Sequence, residues 1–145
     1  MDDVRSQQFE QIGLQQRLFS RPQLAEARRL GAQRRKSPGE VLIEQGLLTR
    51  EQLKGLERAI TYRLGRDQDK EIAKIIVDSN YCDPARVEAA LRKQKEFYGK
   101  TGELMRLGVL LVEGRDITES QRVAAYKIHD IERRASSASH PRLPR

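Results

Sequence analysis

The 145-residue sequence contains one cysteine, Cys82, and no tryptophan, and aromatic residues make up only 5% of it. A single cysteine cannot form an intrachain disulfide, which excludes a small scaffold held by internal disulfides and suits a reducing compartment. The scarcity of aromatic residues favours a well-solvated helical protein over a β-sandwich. No apolar run approaches the roughly 20 residues that a membrane-spanning helix needs, so we predict no membrane span.

The first residues, "MDDVRSQQFEQ", are polar and acidic, so we predict no secretory signal and expect a cytoplasmic location. Charged residues make up 34% of the chain, and 28 Lys and Arg against 21 Asp and Glu leave a net charge of +7. A basic balance is compatible with nucleic acid, anionic lipid or an acidic protein surface, and it does not choose among them.

Four helix starts are marked in the sequence. Three are a Ser or Thr followed three residues later by Gln, the capping-box pattern, in which the two side chains satisfy free backbone donors. The fourth is an Asp followed by Pro, which is typical of an N-cap with proline at the first helical position. They are Ser20, Thr49, Asp83 and Thr118. Their spacing of about 30 to 35 residues predicts a repeated helical hairpin.

A helix-ending residue lies shortly before each of these caps. Gly and Asn readily adopt the left-handed conformation that ends a helix. The predicted terminators are Gly46, Asn80 and Gly114, with Arg17 in a degenerate first unit. Each unit is therefore predicted to be a short helix, a tight turn and a longer helix. The longer helices are predicted at 21–35, 50–64, 84–98 and 119–134, with linkers at 34–39, 64–69 and 98–102.

These patterns predict an all-α protein of about eight helices, arranged as four stacked helical hairpins over one continuous core. The units are placed at about 7–36, 37–65, 69–98 and 101–134 within a domain 1–134. The basic segment 135–145 lacks periodicity and is predicted to be a disordered tail. The residues assigned to the core are Leu42, Leu53, Leu56, Ile76, Val87, Leu91, Leu111 and Val123.

The segment 38–59, "PGEVLIEQGLLTREQLKGLERA", resembles the amino-terminal domain of the type II secretion and type IV pilus assembly ATPases. The second-best match is 104–126, "LMRLGVLLVEGRDITESQRVAAY". Related hairpins occur alone in other bacterial proteins. The resemblance implies a non-enzymatic interaction or adaptor module in bacterial regulation or envelope-machine assembly. The chain has no Walker motif and so lacks the ATPase part of these relatives.

Some members of that family bind cyclic di-GMP through tandem units that begin with Arg-Leu-Gly. Arg106, Leu107 and Gly108 match that beginning, so a cyclic di-GMP sensor is an alternative function that the resemblance implies. The unit at 37–60 instead begins with Ser37-Pro38-Gly39 and lacks the arginine. We therefore predict that Arg106 does not bind a nucleotide.

A basic stripe lies near the end of the second helix. Arg28 and Arg35 are seven residues apart and share a helix face, as do Arg29 and Lys36. We interpret the stripe as part of a docking surface for an acidic protein partner. RNA, lipid headgroups and a solvated helix face whose cations favour its carboxyl end are the alternatives. The stripe consists of Arg28, Arg29, Arg34, Arg35 and Lys36. A further alternative is a helix-turn-helix that binds nucleic acid, with Arg50, Gln52 and Lys54 at the amino end of its recognition helix.

No set of acid, base and nucleophile converges in the sequence, so we predict neither an enzyme nor a cofactor. His129 and His140 have no cysteine or second histidine at ligand spacing, which argues against a metal site. We interpret Cys82 as a small packing residue. "RRAS" at 133–136 has the form of a kinase site, which makes Ser136 a possible phosphorylation site in the tail.

Overall fold

The computed structural model describes residues 3–139, without the side chains of 137–139, and within that range it consists of helices joined by turns, with no strand. The predicted all-α class is therefore confirmed. Seven helices follow one another: α1 (Asp3–Gln15), α2 (Arg21–Arg34), α3 (Pro38–Glu44), α4 (Arg50–Asp78), α5 (Pro84–Thr101), α6 (Leu107–Glu113) and α7 (Glu119–Ser139). None of the helices described is both long enough and apolar enough to cross a membrane.

The four predicted helix starts are confirmed by their hydrogen bonds. At Thr49 the hydroxyl accepts the Gln52 backbone N–H at 3.0 Å, and the Gln52 amide oxygen accepts the Thr49 N–H at 2.9 Å. The same reciprocal pair occurs at the Ser20 and Thr118 starts. The Asp83 carboxylate accepts the Arg86 N–H at 3.0 Å. A pair of this kind depends on local sequence alone, because its donor lies only three residues from its acceptor.

The turns before these starts repeat one backbone geometry. In each turn a residue with positive φ lies three residues before the cap, and the next N–H donates to a carbonyl five residues earlier. This pattern is the Schellman motif. The positive-φ residues are Arg17, Gly46, Asn80 and Arg115. Gly114 has φ −79°, so its assignment as the fourth terminator was wrong by one residue. Corrected in this way, the fourth hairpin turn is in register with the others.

Seven helices replace the predicted eight because the linker placed at 64–69 is helical. Residues 50–78 form one continuous helix, α4, in spite of Gly65. Glycine lowers helix propensity by only about 1 kcal/mol. A methyl group on Gly65 would collide with the Leu104 side chain, so packing accounts for the glycine.

The other two linkers also differ from the prediction: the one placed at 34–39 is shorter, and the one placed at 98–102 lies at 102–106. Pro38 and Gly39 begin α3 with Ser37 as its cap, whose hydroxyl accepts the Glu40 N–H at 3.2 Å. The helix α5 continues to Thr101 and ends at Gly102, which has φ 73°. The last helix continues to Ser139, five residues into the segment predicted to be disordered. The remainder of that segment, including His140, lies outside the described residues.

The chain divides into two compact units, Met1–Arg63 and Leu64–Arg145, and the boundary lies within α4. The first unit buries apolar side chains from α1 to α3 and from the first part of α4. Its most deeply buried residues are Leu24, Ala27, Val41, Leu42 and Leu56, each at most 1% exposed.

The second unit has a core cluster formed by the end of α4 together with α5, α6 and α7. Ile72, Ile76, Leu107, Leu111 and Ala125 have no exposed surface in it. Six of the eight residues assigned to the core are buried, two of them in the first unit and four in the second.

Two core assignments differ from the structure. Leu53 is only half-buried, and Val123 is 48% exposed, so its assignment was wrong. In the fourth hairpin Arg122 takes the position that Leu53 has in the second, and its aliphatic stem lies against Gly108 as Leu53 lies against Gly39. Val123, one residue later, is rotated by about 100° away from that contact.

Candidate functional site

Asp69, on α4, is a buried carboxylate with no exposed surface. Its oxygens accept hydrogen bonds from the Arg106 guanidinium at 2.7 Å, the Leu107 backbone N–H at 2.9 Å, the Gln94 amide at 2.7 Å and the Tyr126 hydroxyl at 3.2 Å. Burying a carboxylate is costly unless it is paired and hydrogen-bonded, and this one is both. Asp69 therefore joins four elements of the second unit.

The carboxylate also caps a helix to which it does not belong. Arg106 is the N-cap residue of α6, and its own side chain makes no capping hydrogen bond. Instead, Asp69 accepts the first free N–H of that helix, that of Leu107. Negative charge at a helix amino terminus is favourable. The short helix α6 thus depends on a residue 38 positions earlier in the chain.

The nucleotide-binding residues implied by the resemblance belong to this network. Arg106 donates to Asp69 and Gln68, and Leu107 is fully buried. At Gly108 a side chain would collide with Tyr126 and Arg122, each with a carbon 2.8 Å from the ideal Cβ position. Gly108 therefore leaves room for side chains of the same unit to pack. Arg106 is bound to Asp69, and Leu107 is buried in the core.

The ionisation of the network follows from these contacts. The hydrogen bond that Arg106 donates to Asp69 raises the pKa of Arg106, which stays protonated. Burial raises the pKa of the Tyr126 hydroxyl, and the neighbouring Asp69 charge raises it further. Arg106 and Arg122 also lie over the Tyr126 ring, each with its guanidinium carbon 5.9 Å from the ring centroid. Tyr126 is therefore a neutral hydrogen-bond donor with two cations close to its ring.

The corresponding place in the first unit contains a small pocket lined by Ser37, Pro38 and Gly39, together with Phe9 and Leu53. Its volume of about 200 Å³ lies below the roughly 300–1,000 Å³ usual for ligand sites. The Arg-Leu-Gly position therefore offers no free arginine in either unit, because Arg106 is bound to Asp69 and Ser37-Pro38-Gly39 contains none.

We expect calorimetry with cyclic di-GMP to show no saturable binding at micromolar concentrations. The reason is that Arg106 is held by Asp69 and that Ser37-Pro38-Gly39 supplies no second arginine. Phe97→Ala, at an exposed site on α5, serves as the matched control. Tight binding that is lost in Arg106→Ala and kept in Phe97→Ala would contradict the expectation and support a sensor.

The basic stripe of α2 lies among glutamates of the same unit. Arg28 pairs with Glu10 at 2.9 Å, Arg29 pairs with Glu26, and both Arg34 and Lys36 pair with Glu44. The hydrogen bond from Arg29 lowers the pKa of Glu26, and that from Lys36 lowers the pKa of Glu44, so both carboxylates are ionised at neutral pH. Arg35 is the C-cap of α2 with φ 56°. Four of the five predicted docking cations are thus paired within the unit.

A second cationic surface, which the sequence analysis missed, lies in the second unit. A groove of about 530 Å³ runs between α4 and α5 over a floor of Ala73, Val77 and Leu91. Its cationic residues are Arg66, Lys70, Lys74 and Arg92, and its acidic residues are Asp78 and Glu88. The spacing of four between Arg66, Lys70 and Lys74 was the available sequence signal, because it places them on one face of a helix.

The cations of this α4–α5 groove differ in their partners. Arg66 donates to the Leu91 carbonyl at 2.8 Å and to the Gln94 amide oxygen at 3.2 Å. Lys70, Lys74 and Arg92 are exposed, and within residues 3–139 none has a carboxylate within 4 Å. Three cations of the groove are therefore open to an external anion.

A wider groove, of about 800 Å³, lies between α4 and α7. Ile75 and Ile128 line it, and His129 Nε2 lies 2.6 Å from Glu71 Oε1. Ser136 also lines this groove and belongs to helix α7. A kinase would therefore meet "RRAS" in helical form rather than in the disordered tail assumed in the sequence analysis. Phosphorylation of Ser136 stays a prediction.

The residues of the helix-turn-helix alternative lie at the start of α4. All three residues are exposed; Gln52 is engaged in the capping box with Thr49, and Arg50 lies 3.9 Å from Glu40. Within residues 3–139 no group of three His, Cys, Asp or Glu is placed to hold a metal ion. Partial burial, followed by the charges of Asp116 and Asp83, raises the pKa of the Cys82 thiol. A raised pKa disfavours the reactive thiolate.

The chain matches none of the protein-family models, curated proteins or solved structures with which it was compared. The likeness of 38–59 and 104–126 to secretion ATPase domains is therefore a prediction from the residues alone.

Proposed function

We propose that the chain is a non-enzymatic protein-interaction module that binds an acidic partner through the α4–α5 groove. The observation that carries the proposal is the charge of this groove. Four cations face two acids there, and three of the cations have no carboxylate partner within 4 Å in residues 3–139. A role in bacterial regulation or envelope-machine assembly rests only on the resemblance of 38–59 and 104–126.

The α4–α5 groove is a better docking surface than the α2 stripe for an electrostatic reason. An acidic partner at the stripe would have to compete with Glu10, Glu26 and Glu44 for cations that are already paired. At the groove, Lys70 and Lys74 are available without displacing a partner. Their spacing of four residues places the two ammonium groups about 6 Å apart along the helix axis, a separation matched by Glu or Asp at the same spacing on a partner helix.

The apolar floor adds the non-electrostatic part of the proposal. Ala73 and Leu91 are each 7% exposed, and Val77 is half-buried. An amphipathic helix with an acidic edge would therefore bring small apolar residues onto the floor and carboxylates onto the cations. This is the helix-in-groove mode of recognition.

The test begins with capture of binding proteins from native lysate by the wild-type chain, identified by mass spectrometry. Association of the captured protein is then measured with Lys70→Glu/Lys74→Glu. We expect the association rate to fall about tenfold or more, because electrostatic steering contributes a factor of this size, and added salt to slow the wild type as well. Arg29→Glu/Arg35→Glu reverses the same charge on the α2 stripe and should bind nearly as well as wild type.

If Arg29→Glu/Arg35→Glu slows association and Lys70→Glu/Lys74→Glu does not, the docking surface is the α2 stripe and not the groove. Equal binding by both variants and the wild type would contradict electrostatic docking. Capture of nucleic acid instead, with an affinity that falls linearly with salt on logarithmic axes, would contradict a protein partner and support the nucleic-acid alternative.

A further inference from the structure

The helix α7 carries a row of apolar residues, of which Ile131 and Ala135 are exposed while Ile128 packs in part against the core cluster. Ile131 is 61% exposed, which makes it the most exposed large hydrophobic side chain in the described part of the chain. Ala135 is also exposed, and Ala124 and Ile128 are half-buried. Exposed apolar residues that line up on one face mark an interaction surface more often than single scattered ones do.

The spacing of these residues is that of a coiled coil. Ala124, Ile128, Ile131 and Ala135 are separated by four, three and four residues, which is the alternation of the a and d positions in a heptad. At about 100° per residue they lie within one narrow sector of the helix. The inward-facing residues Ala125 and His129 lie in a different sector, and they are 0% and 7% exposed. We call the four residues the α7 seam.

Charged residues of opposite sign flank the α7 seam. Lys127 lies about 70° to one side of it and Glu132 about 70° to the other, at the g and e positions of the heptad. Both side chains are exposed, and within residues 3–139 neither has an opposite charge within 4 Å. One copy of the helix therefore carries an apolar stripe with a cation along one edge and an anion along the other.

We propose that a second copy of this chain covers the α7 seam, with the two α7 helices parallel. A parallel two-fold arrangement places Lys127 of one copy opposite Glu132 of the other, twice, which is the g-to-e pairing that stabilises parallel coiled coils. An antiparallel arrangement would place Lys127 opposite Lys127 and Glu132 opposite Glu132. The flanking charges thus favour a second copy of α7 as the partner, and a parallel over an antiparallel pair.

The seam spans the twelve residues 124–135, fewer than two heptads, so the dimer is weak and forms in a concentration-dependent way. This inference rests on α7 alone and is independent of the α4–α5 groove. If both are correct, the dimer carries two grooves, and a partner with two acidic segments gains avidity.

Sedimentation equilibrium of the full chain tests the inference. We expect a monomer–dimer equilibrium, and Ile131→Glu should weaken association by about a hundredfold, since each of the two copies loses one buried isoleucine. Val123→Glu is the matched control, because Val123 is an exposed apolar residue on another face of the same helix. Circular dichroism checks that both variants keep their helix content.

Two further variants test the direction of pairing. Lys127→Glu and Glu132→Lys should each weaken the dimer, and the double exchange should restore it. In a Cys82→Ser background, Ala135→Cys should form an intermolecular disulfide at least about tenfold faster than Val123→Cys, because equivalent a positions face each other only in a parallel pair.

A chain that stays monomeric up to about 1 mM would overturn the proposal. So would a dimer that survives Ile131→Glu, since its interface would then lie elsewhere. Cross-linking between Ala124→Cys and Ala135→Cys chains in a mixture, with none in Ala135→Cys alone, would indicate an antiparallel pair and overturn the parallel arrangement. None of these outcomes bears on binding at the α4–α5 groove.

Discussion

Replacement of Asp69 by alanine should lower the free energy of unfolding by about 2–4 kcal/mol, one of the two largest effects expected for this chain. Breaking a buried ion pair by removing one partner costs about 3–5 kcal/mol when both ends are buried. Here the Arg106 side chain is 35% exposed and regains some hydration, which reduces the loss. The Leu107 N–H and the Gln94 amide lose an acceptor as well, and each such loss costs about 1–3 kcal/mol when no water replaces it.

Urea denaturation followed by circular dichroism measures this change. Asp67→Ala is the matched control, because Asp67 is an exposed carboxylate two residues earlier on α4. Its removal should change stability by less than about 0.5 kcal/mol. If the two variants are equally stable, Asp69 does not hold the second unit together. The loss of stability in Asp69→Asn should lie between those of Asp69→Ala and Asp67→Ala, since the asparagine amide keeps one hydrogen-bond acceptor and lacks the charge.

Leu56→Ala should destabilise the first unit by about 2–5 kcal/mol. Leu56 is 1% exposed, and shortening a fully buried leucine removes apolar burial and leaves a cavity. Leu53→Ala, three residues earlier on the same helix, should cost about half as much or less, because Leu53 is half-buried and its site is open to water.

The comparison of these two leucines separates burial from position in the repeat. Both lie on the apolar side of the second hairpin, and sequence alone gives them the same role. Thermal and urea unfolding of the two variants, with Lys54→Ala as the exposed control, shows whether burial or position in the repeat sets the loss of stability. An equal loss for Leu53→Ala and Leu56→Ala would mean that exposure does not determine their contribution.

The arrangement of the second unit bears on the cyclic di-GMP alternative. A sensor needs cations that face its ligand, whereas Arg106 faces a carboxylate of its own chain. The same Arg-Leu-Gly sequence thus serves packing here, with the arginine anchored and the glycine admitting Tyr126 and Arg122. Opening that site to a ligand would require breaking the Asp69 network, which the Asp69→Ala measurement evaluates directly.

Local hydrogen bonding explains what the sequence by itself determined. The helix starts at Ser20, Thr49, Asp83 and Thr118 depend on a side chain and a backbone donor three residues apart. Such contacts form without help from the rest of the chain, so their residue types predict them. The fourth turn was misplaced by one residue because glycine was favoured over Arg115, which adopts a left-handed conformation imposed by the Schellman hydrogen bonds.

Only the tertiary structure decided which residues meet across the chain. Asp69 contacts groups 25 to 57 positions away, and no periodicity relates it to Gln94 or Tyr126. The continuation of α4 through Gly65 depends on the packing of Leu104, and the exposure of Val123 depends on Arg122 taking the inner position against Gly108. Whether a cation is paired or open likewise depends on which carboxylates the fold brings within reach. In the folded chain, glutamates lie beside the cations of the α2 stripe, whereas Lys70, Lys74 and Arg92 have no carboxylate within 4 Å among residues 3–139.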